Sequence, residues 1–181
     1  MTGTVLEEKE VNITSERAKE VMNCFVGEIS QIPPMYSACK VNGKRLYELA
    51  REGKEVERKA RPVTIYELEI LQMDLPVIKF RVLCSKGTYI RTLCHDIGNK
   101  LGCGGAMQSL LRTRVERFTL EQAKKLDQIE EMVKAGTFRE ALTSVEAMFP
   151  DLQEIYVKDG IRSAGQNGNR LFLRRILVKT G

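Results

Sequence analysis

The sequence predicts an α+β fold, and three observations predict it. First, Pro62 to Leu71 and Val77 to Cys84 carry the β-branched and aromatic residues of two strands. Second, only Asp74-Leu75-Pro76 and its neighbours separate them, so the strands pair antiparallel. Third, the spacing changes after Thr88. Ile90, Leu93, Cys94, Ile97 and Leu101 recur every three or four residues, which is one apolar face of a helix. The polar turn Ser85-Lys86-Gly87 joins strand to helix, with Tyr89 and Arg91 at its rim. Strand-to-helix turns of this kind are common sites for ligands.

The 181 residues suffice for one ordinary domain with or without a small appendage. At 43% hydrophobic and 29% charged residues, the composition is that of a globular protein. A net charge of +5 suits a polyanionic partner, although many unrelated proteins are as basic. Five cysteines without a CxxC pair, and a single histidine, argue against a zinc site. Scattered thiols suit a reducing, cytoplasmic setting and small buried side chains. No apolar run approaches the roughly twenty residues of a membrane span, and the N-terminus has no signal-peptide pattern.

Met1 to Asn12 is polar and reads as a loop with an edge strand. Thr14 or Ser15 caps a helix whose stripe is Ala18, Val21, Met22, Phe25 and Val26, stopped at Gly27. Pro33 and Pro34 impose an extended segment. Tyr36 to Val41 reads as a strand turning at Asn42-Gly43, and Leu46, Leu49 and Ala50 as a short helix ending at Gly53. Lys40, Lys44, Arg45 and Arg51 read equally well as a solvated surface or as phosphate contacts.

Lys79 and Arg81 share one face of the second strand. Gly102 caps the central helix. The loop Gly102-Cys103-Gly104-Gly105-Ala106 lacks the lysine and hydroxyl of a P-loop, which argues against a nucleotide site. Met107, Leu110 and Leu111 open another short helix. Arg112, Arg114 and Arg117 alternate with Thr113, Val115 and Phe118 as a strand with one basic face. Glu121 to Gly136 is an amphipathic helix with Leu126, Ile129, Met132 and Val133 inward. Phe138 to Leu142 adds a turn, Pro150 marks a boundary, and Ile155 to Val157 and Leu171 to Val178 are strand-like.

Taken as chemistry alone, the chain offers no Ser/His/Asp set and no carboxylate pair at a recognisable spacing. His95 reads as a semi-exposed helix residue. Several long blocks nevertheless resemble the TruB family of bacterial tRNA pseudouridine synthases. These are PPMYSACKVNGKRLYELAREG, the connector with Arg61-Pro62-Val63, CSKGTYIRTLCHDIGNKLGCGG and LLRTRVERF, in that family's order from about Phe25 to Phe118. SVEAMFPDL and NGNRL resemble the end of its catalytic domain and the start of its RNA-binding region.

The resemblance implies the pseudouridine synthase fold, a mixed and largely antiparallel sheet flanked by helices, here in part. It divides the chain into a catalytic portion, 1–149, and the start of a truncated C-terminal RNA-binding region, 150–181. It implies isomerisation of uridine 55 in the tRNA T loop: the C1′–N1 bond breaks, the uracil turns, and C5 joins C1′. No cofactor and no metal are implied. The base is flipped out of its stack to reach the pocket. The partner is the tRNA T arm, and the protein is expected to be a monomer. By matched position, Tyr89 contacts the flipped base, Arg91 pairs with a nucleophilic aspartate, and Leu110 packs against base or ribose. Lys86, Arg112 and Arg114, with Arg117, line the RNA-facing side.

One departure from the family pattern is large. The family's aspartate lies in a GxLDPxATG-like motif, and none of Asp74, Asp96, Asp127, Asp151 and Asp159 has that context. TGTVLEEKEV resembles a family segment with Gly3 at the aspartate position. The chain therefore looks like a family member without the N-terminal third that carries the nucleophile. Two alternatives follow: a catalytically inactive tRNA-binding fragment or RNA-folding helper, and a fragment unable to bury its core alone.

Overall fold

The computed structural model describes residues 7–152, 155–157, 160, 162–170 and 176–178. Two compact units divide the chain, Met1–Leu111 and Arg112–Gly181.

In the first unit, helix α1 (Ser15–Asn23) starts where Thr14 Oγ1 accepts the Arg17 N–H at 3.2 Å, satisfying one of the free amides of the first turn. Ala18, Val21 and Met22 are its buried stripe. Phe25 is half-buried and Val26 exposed, because the helix ends before them. Three strands follow as an antiparallel sheet in the order β1-β4-β5. They are β1 (Gly27–Gln31), β4 (Arg61–Asp74) and β5 (Val77–Cys84). The expected pairing of the last two runs from Asp74↔Val77 to Ile65↔Cys84, with register shifts between Ile65 and Glu67 and between Ile70 and Gln72.

Burial alternates along β5, so Ile78, Phe80, Val82 and Cys84 face the core while Lys79 and Arg81 face out. Helix α3 (Ile90–Leu101) covers that inner face with α1. Val21, Met22, Ile65, Leu93 and Ile97 form the central cluster. The helix begins at Ile90, two residues after the start expected at Thr88, because Tyr89 is its N-cap with extended backbone. Gly102 closes it at φ 85°, as expected.

The glycine-rich loop proves to be a packing device. A Cβ on Gly98 would lie 2.1 Å from the Gly104 carbonyl carbon and from the Gly105 nitrogen. The Gly104 N–H donates to the Gly98 carbonyl at 3.0 Å. Loop backbone therefore lies directly on helix backbone, which only glycine permits.

Between β1 and β4 the strand expected over Tyr36 to Val41 shrinks to β2 (Lys40–Val41), since residues 35–38 bend. It pairs with β3 (Lys44–Arg45) across Asn42 and Gly43, both at positive φ. Helix α2 (Leu46–Arg51) follows and buries Leu46 and Leu49.

The chain after Cys103 departs further from expectation. The helix predicted from Met107 is absent, and residues 104–113 have no regular structure. The single basic strand is instead a hairpin, β6 (Arg114–Val115) with β7 (Phe118–Thr119), turning at Glu116 with φ 52°. The long helix over 121–136 is a 3-10 turn (Leu120–Gln122) followed by α4 (Leu126–Lys134). Extended backbone at Ala123 breaks it, and Leu126 and Val133 are exposed rather than inward. Phe138–Ala141 makes the expected turn. Strands β8 (Ile155–Val157) and β9 (Ile176–Val178) pair antiparallel, with α5 (Arg162–Gln166) between them in sequence. The remainder of the strand expected from Leu171, and Met1 to Leu6 of the N-terminal reading, lie outside the described residues. Residues 7–12 form no strand. Cys24 is exposed and the other four thiols are partly buried, so the expectation of buried cysteines is too simple.

Gly98→Ala is expected to cost about 3 kcal/mol, because backbone rather than a flexible side chain must move. Gly102→Ala, open on all sides but at positive φ, should cost about 1 kcal/mol. Thermal unfolding of the two variants checks this ranking, and a milder effect at Gly98 would contradict the close packing.

Candidate functional site

The junction between β5 and α3 is built by hydrogen bonds within the turn and to the neighbouring strand β4. Ser85 N–H donates to the Thr64 carbonyl at 2.8 Å, and Thr64 N–H donates to Ser85 Oγ at 2.9 Å. Thr88 Oγ1 donates to the Ser85 carbonyl at 2.9 Å. Gly87, at φ 88°, lets the chain reverse between them. The turn is thus tied to β4 at one end and to itself at the other, which gives the residues after it a fixed start.

Tyr89 follows as the helix N-cap. Its carbonyl accepts the first helical bond from Leu93 N–H at 3.0 Å. Its own N–H donates to Gln31 Oε1 at 3.0 Å, and Gln31 Nε2 donates back to the Tyr89 carbonyl at 3.4 Å. The tyrosine is half-buried, which leaves part of it open to a ligand.

Arg91 is the second residue of α3 and is exposed. The first turn of α3 contains no acidic residue, and among the described residues no carboxylate lies within ion-pair distance of this guanidinium. A cation at the positive end of a helix is disfavoured by about 0.3–1 kcal/mol. The guanidinium and the free N–H groups of the first turn therefore both favour an incoming anion. Lys86, also exposed, sits in the preceding turn between β5 and α3.

The structure brings Lys86, Tyr89 and Arg91 together within one turn and helix start. Leu110, exposed at 55%, lies in the irregular stretch that ends the first unit. Arg112 and Arg114 belong to the second unit and are exposed, Arg114 opening β6. Arg117 does not alternate with them along one strand. It lies in the hairpin turn, where its guanidinium donates to the Ala147 carbonyl at 2.7 Å.

A second basic feature surrounds the β2-β3 hairpin. Arg45 and Arg51 lie over the ring of Tyr47, with guanidinium carbons 5.8 and 5.3 Å from its centroid. Arg45 also donates to the Tyr47 hydroxyl at 2.8 Å. These cations are held by an aromatic ring rather than neutralised, and so remain available to phosphate.

Asp96 is half-buried, and desolvation raises its pKa above the ordinary value while His95 pulls it down more weakly. That shift disfavours the ionised form a nucleophile needs. Asp74, Asp127 and Asp151 are exposed, and Asp159 lies outside the described residues. His95 is exposed and bonded to Asn99 Nδ2 at 2.9 Å, a surface helix residue as expected.

Two family models match consecutive parts of the chain. The TruB family pseudouridylate synthase N-terminal domain matches residues 1–90, and the tRNA pseudouridylate synthase B C-terminal domain matches residues 91–150. The chain belongs to the TruB family. It is 43% identical over 175 residues to tRNA pseudouridine synthase B of Clostridium novyi, covering 97% of this chain and 59% of that protein. It is 45% identical over 170 residues to the synthase of the same name from Alkaliphilus oremlandii, covering 94% and 56%. The chain thus spans under two thirds of the length of the curated relatives it matches. Among solved structures, it resembles a chain of a Cbf5-Nop10-Gar1 complex with a TM-score of 0.68 and 29% identity, over 93% of this chain and 49% of that one. It also resembles a chain of an H/ACA ribonucleoprotein bound to a substrate RNA containing 2′-deoxyuridine, with a TM-score of 0.65 and 26% identity, over 93% and 47%. The family boundary at residues 90–91 falls inside the Tyr89–Arg91 turn. The α+β fold expected from the sequence agrees with these neighbours and with the antiparallel sheet and helices.

If Arg114 meets a phosphate, Arg114→Ala should reduce the slope of log affinity against log salt for a T-arm RNA by about one unit. Arg117→Ala, whose guanidinium is already held by a carbonyl, should change it less. Equal slopes for wild type and Arg114→Ala in filter binding would show that Arg114 is merely solvated.

Proposed function

We propose that the chain is the larger part of a tRNA pseudouridine synthase that isomerises uridine 55 of the T loop. The observation that carries the reading is Arg91 at the start of α3, two residues after Tyr89, exposed and without a carboxylate partner among the described residues. In this reading the target base leaves its stack and lies against Tyr89 and Leu110. A tyrosine supplies a ring face for the base and a hydroxyl for its polar edge. Arg91 pairs with the nucleophilic aspartate and favours its ionised form. That aspartate comes from residues this sequence does not contain. The C1′–N1 bond breaks, the uracil turns, C5 bonds to C1′, and the proton leaving C5 is balanced by one gained at N1. Nothing is oxidised and no group is transferred, so no cofactor is required.

The remaining assignments belong to the same proposal. Lys86, Arg112 and Arg114 contact the RNA backbone of the T arm. Residues 1–149 are catalytic, and 150–181 begin an RNA-binding region. The protein acts as a cytoplasmic monomer. What supports the RNA partner is family membership, the net charge of +5, and a neighbour whose structure holds a substrate RNA. No helix among the described residues is long and apolar enough to cross a membrane.

The chain alone should make no pseudouridine in unmodified T-arm RNA by carbodiimide mapping, since positioning cannot replace a covalent nucleophile. Joined to the preceding segment of the Clostridium novyi relative, it should. Turnover by the chain alone would refute the assignment of the nucleophile. An inactive chimera that binds T-arm RNA tightly would favour the RNA-folding helper.

In the active chimera, Arg91→Lys should lower the single-turnover rate by about 100-fold or more with little change in tRNA affinity. An ammonium is a mobile point charge that cannot hold both carboxylate oxygens as a planar guanidinium does. Weakened binding with an intact rate would make Arg91 a phosphate contact instead.

A further inference from the structure

Gln31 is 1% exposed, and among the described residues the other side chains buried that completely are apolar, Ser37 keeping 6% exposure. Its burial follows from strand parity. Gly27, Ile29 and Gln31 share one face of β1, and Ile29 packs onto the core under α1 and α3. An apolar residue at that third position would simply extend the core. A buried carboxamide instead loses its water, and costs stability unless both its ends are bonded. Here both ends meet one residue. Oε1 accepts the Tyr89 N–H at 3.0 Å and Nε2 donates to the Tyr89 carbonyl at 3.4 Å, across 58 positions of sequence.

The pairing imitates a strand neighbour. A main chain in extended conformation offers one N–H and one C=O to its partner, and the amide of Gln31 answers both. Tyr89 has that conformation, with φ −101° and ψ 106°. It sits where β4 and β5 can no longer supply a ladder partner and where α3 has not yet begun. Without Gln31 its N–H would have no acceptor among the described residues, and the residue would be held only by the helical bond from Leu93.

We infer that Gln31 is a positioning residue: its carboxamide fixes the main chain of Tyr89, and so fixes where the tyrosine ring stands for a flipped base. This deepens the proposed function and rests on it for the identity of the base. A ring hinged on a loose N-cap would sample several directions, whereas a ring on a clamped one meets the base without an ordering cost.

The test uses the chain itself with Gln31→Met, which keeps length and apolar bulk but bonds neither group. Gln31→Glu is the second variant; it keeps the acceptor and loses the donor. Amide exchange is read at Tyr89 and, as a folding control, at Ile70 and Phe80 in the sheet. Affinity is read for a T-arm RNA and for the same RNA lacking the target base. The Tyr89 amide should lose protection at least tenfold in Gln31→Met while Ile70 and Phe80 keep theirs. Gln31→Glu, which retains the acceptor, should lose less. The wild-type preference for the intact RNA, about tenfold for one stacked base, should fall towards one in Gln31→Met with the base-less RNA bound as before. Unchanged Tyr89 exchange overturns the clamp. Altered exchange with an unchanged base preference overturns its positioning role. If the wild type itself shows no base preference, the pocket reading of Tyr89 fails, and the positioning role falls with it even where the exchange data retain the clamp.

Discussion

The first unit depends on α3 lying against the inner face of the β1-β4-β5 sheet. Ile65 and Leu93, both fully buried, are at the centre of that packing, with Val21 and Met22 from α1 beside them. Burial of such side chains is worth about 1.5–3 kcal/mol each, and it sets both the height and the rotation of α3 over the sheet. The rim of the candidate site is the first turn of that helix. Tyr89 and Arg91 are therefore placed by the packing of Leu93 and of residues distant in sequence, a core that contains no chemistry.

Two local devices refine that placement. At the far end of α3, Gly98 admits the backbone of Gly104 and Gly105 into van der Waals contact, so the chain leaves the helix pressed against it. At the near end, the Ser85–Thr64 bonds hold the preceding turn to β4, and the Gln31 amide holds the cap residue to β1. The helix is held at its far end by backbone packed on backbone, and at its start by the Gln31 carboxamide and Ser85 Oγ bonded to main-chain groups. The functional groups themselves are left exposed. Arg91 at the positive end of a helix is a slightly unfavourable arrangement in the isolated chain, and it becomes favourable only when an anion arrives. Local strain of this kind belongs at a site rather than in a scaffold.

Elements whose pattern came from burial on one face were legible. The stripe from Ile90 to Leu101 read as α3 because the helix has a wet side and a dry side. The alternation from Val77 to Cys84 read as β5 for the same reason. Misreadings gathered after Cys103. There Arg112, Arg114 and Arg117 alternate with apolar residues, but the turn at Glu116 has a positive φ without the glycine or asparagine that would announce it. The apolar positions Leu126 and Val133 looked helical and inward, yet both are exposed. Periodicity reports a face; it does not report what, if anything, covers that face.

By itself the sequence determined the fold class, the two paired strands and the helix after them, because hydrophobic spacing and turn chemistry act over a few residues. It also determined family membership, because long blocks in a fixed order leave few alternatives. Tertiary structure alone decided that the glycine-rich loop packs its backbone on α3. It alone decided that Gln31, in a strand of no evident interest, bonds the main chain of Tyr89. The reason is physical. A close approach of two backbones, or an amide meeting a peptide 58 residues away, needs a distance between distant segments, and no local spacing encodes that distance.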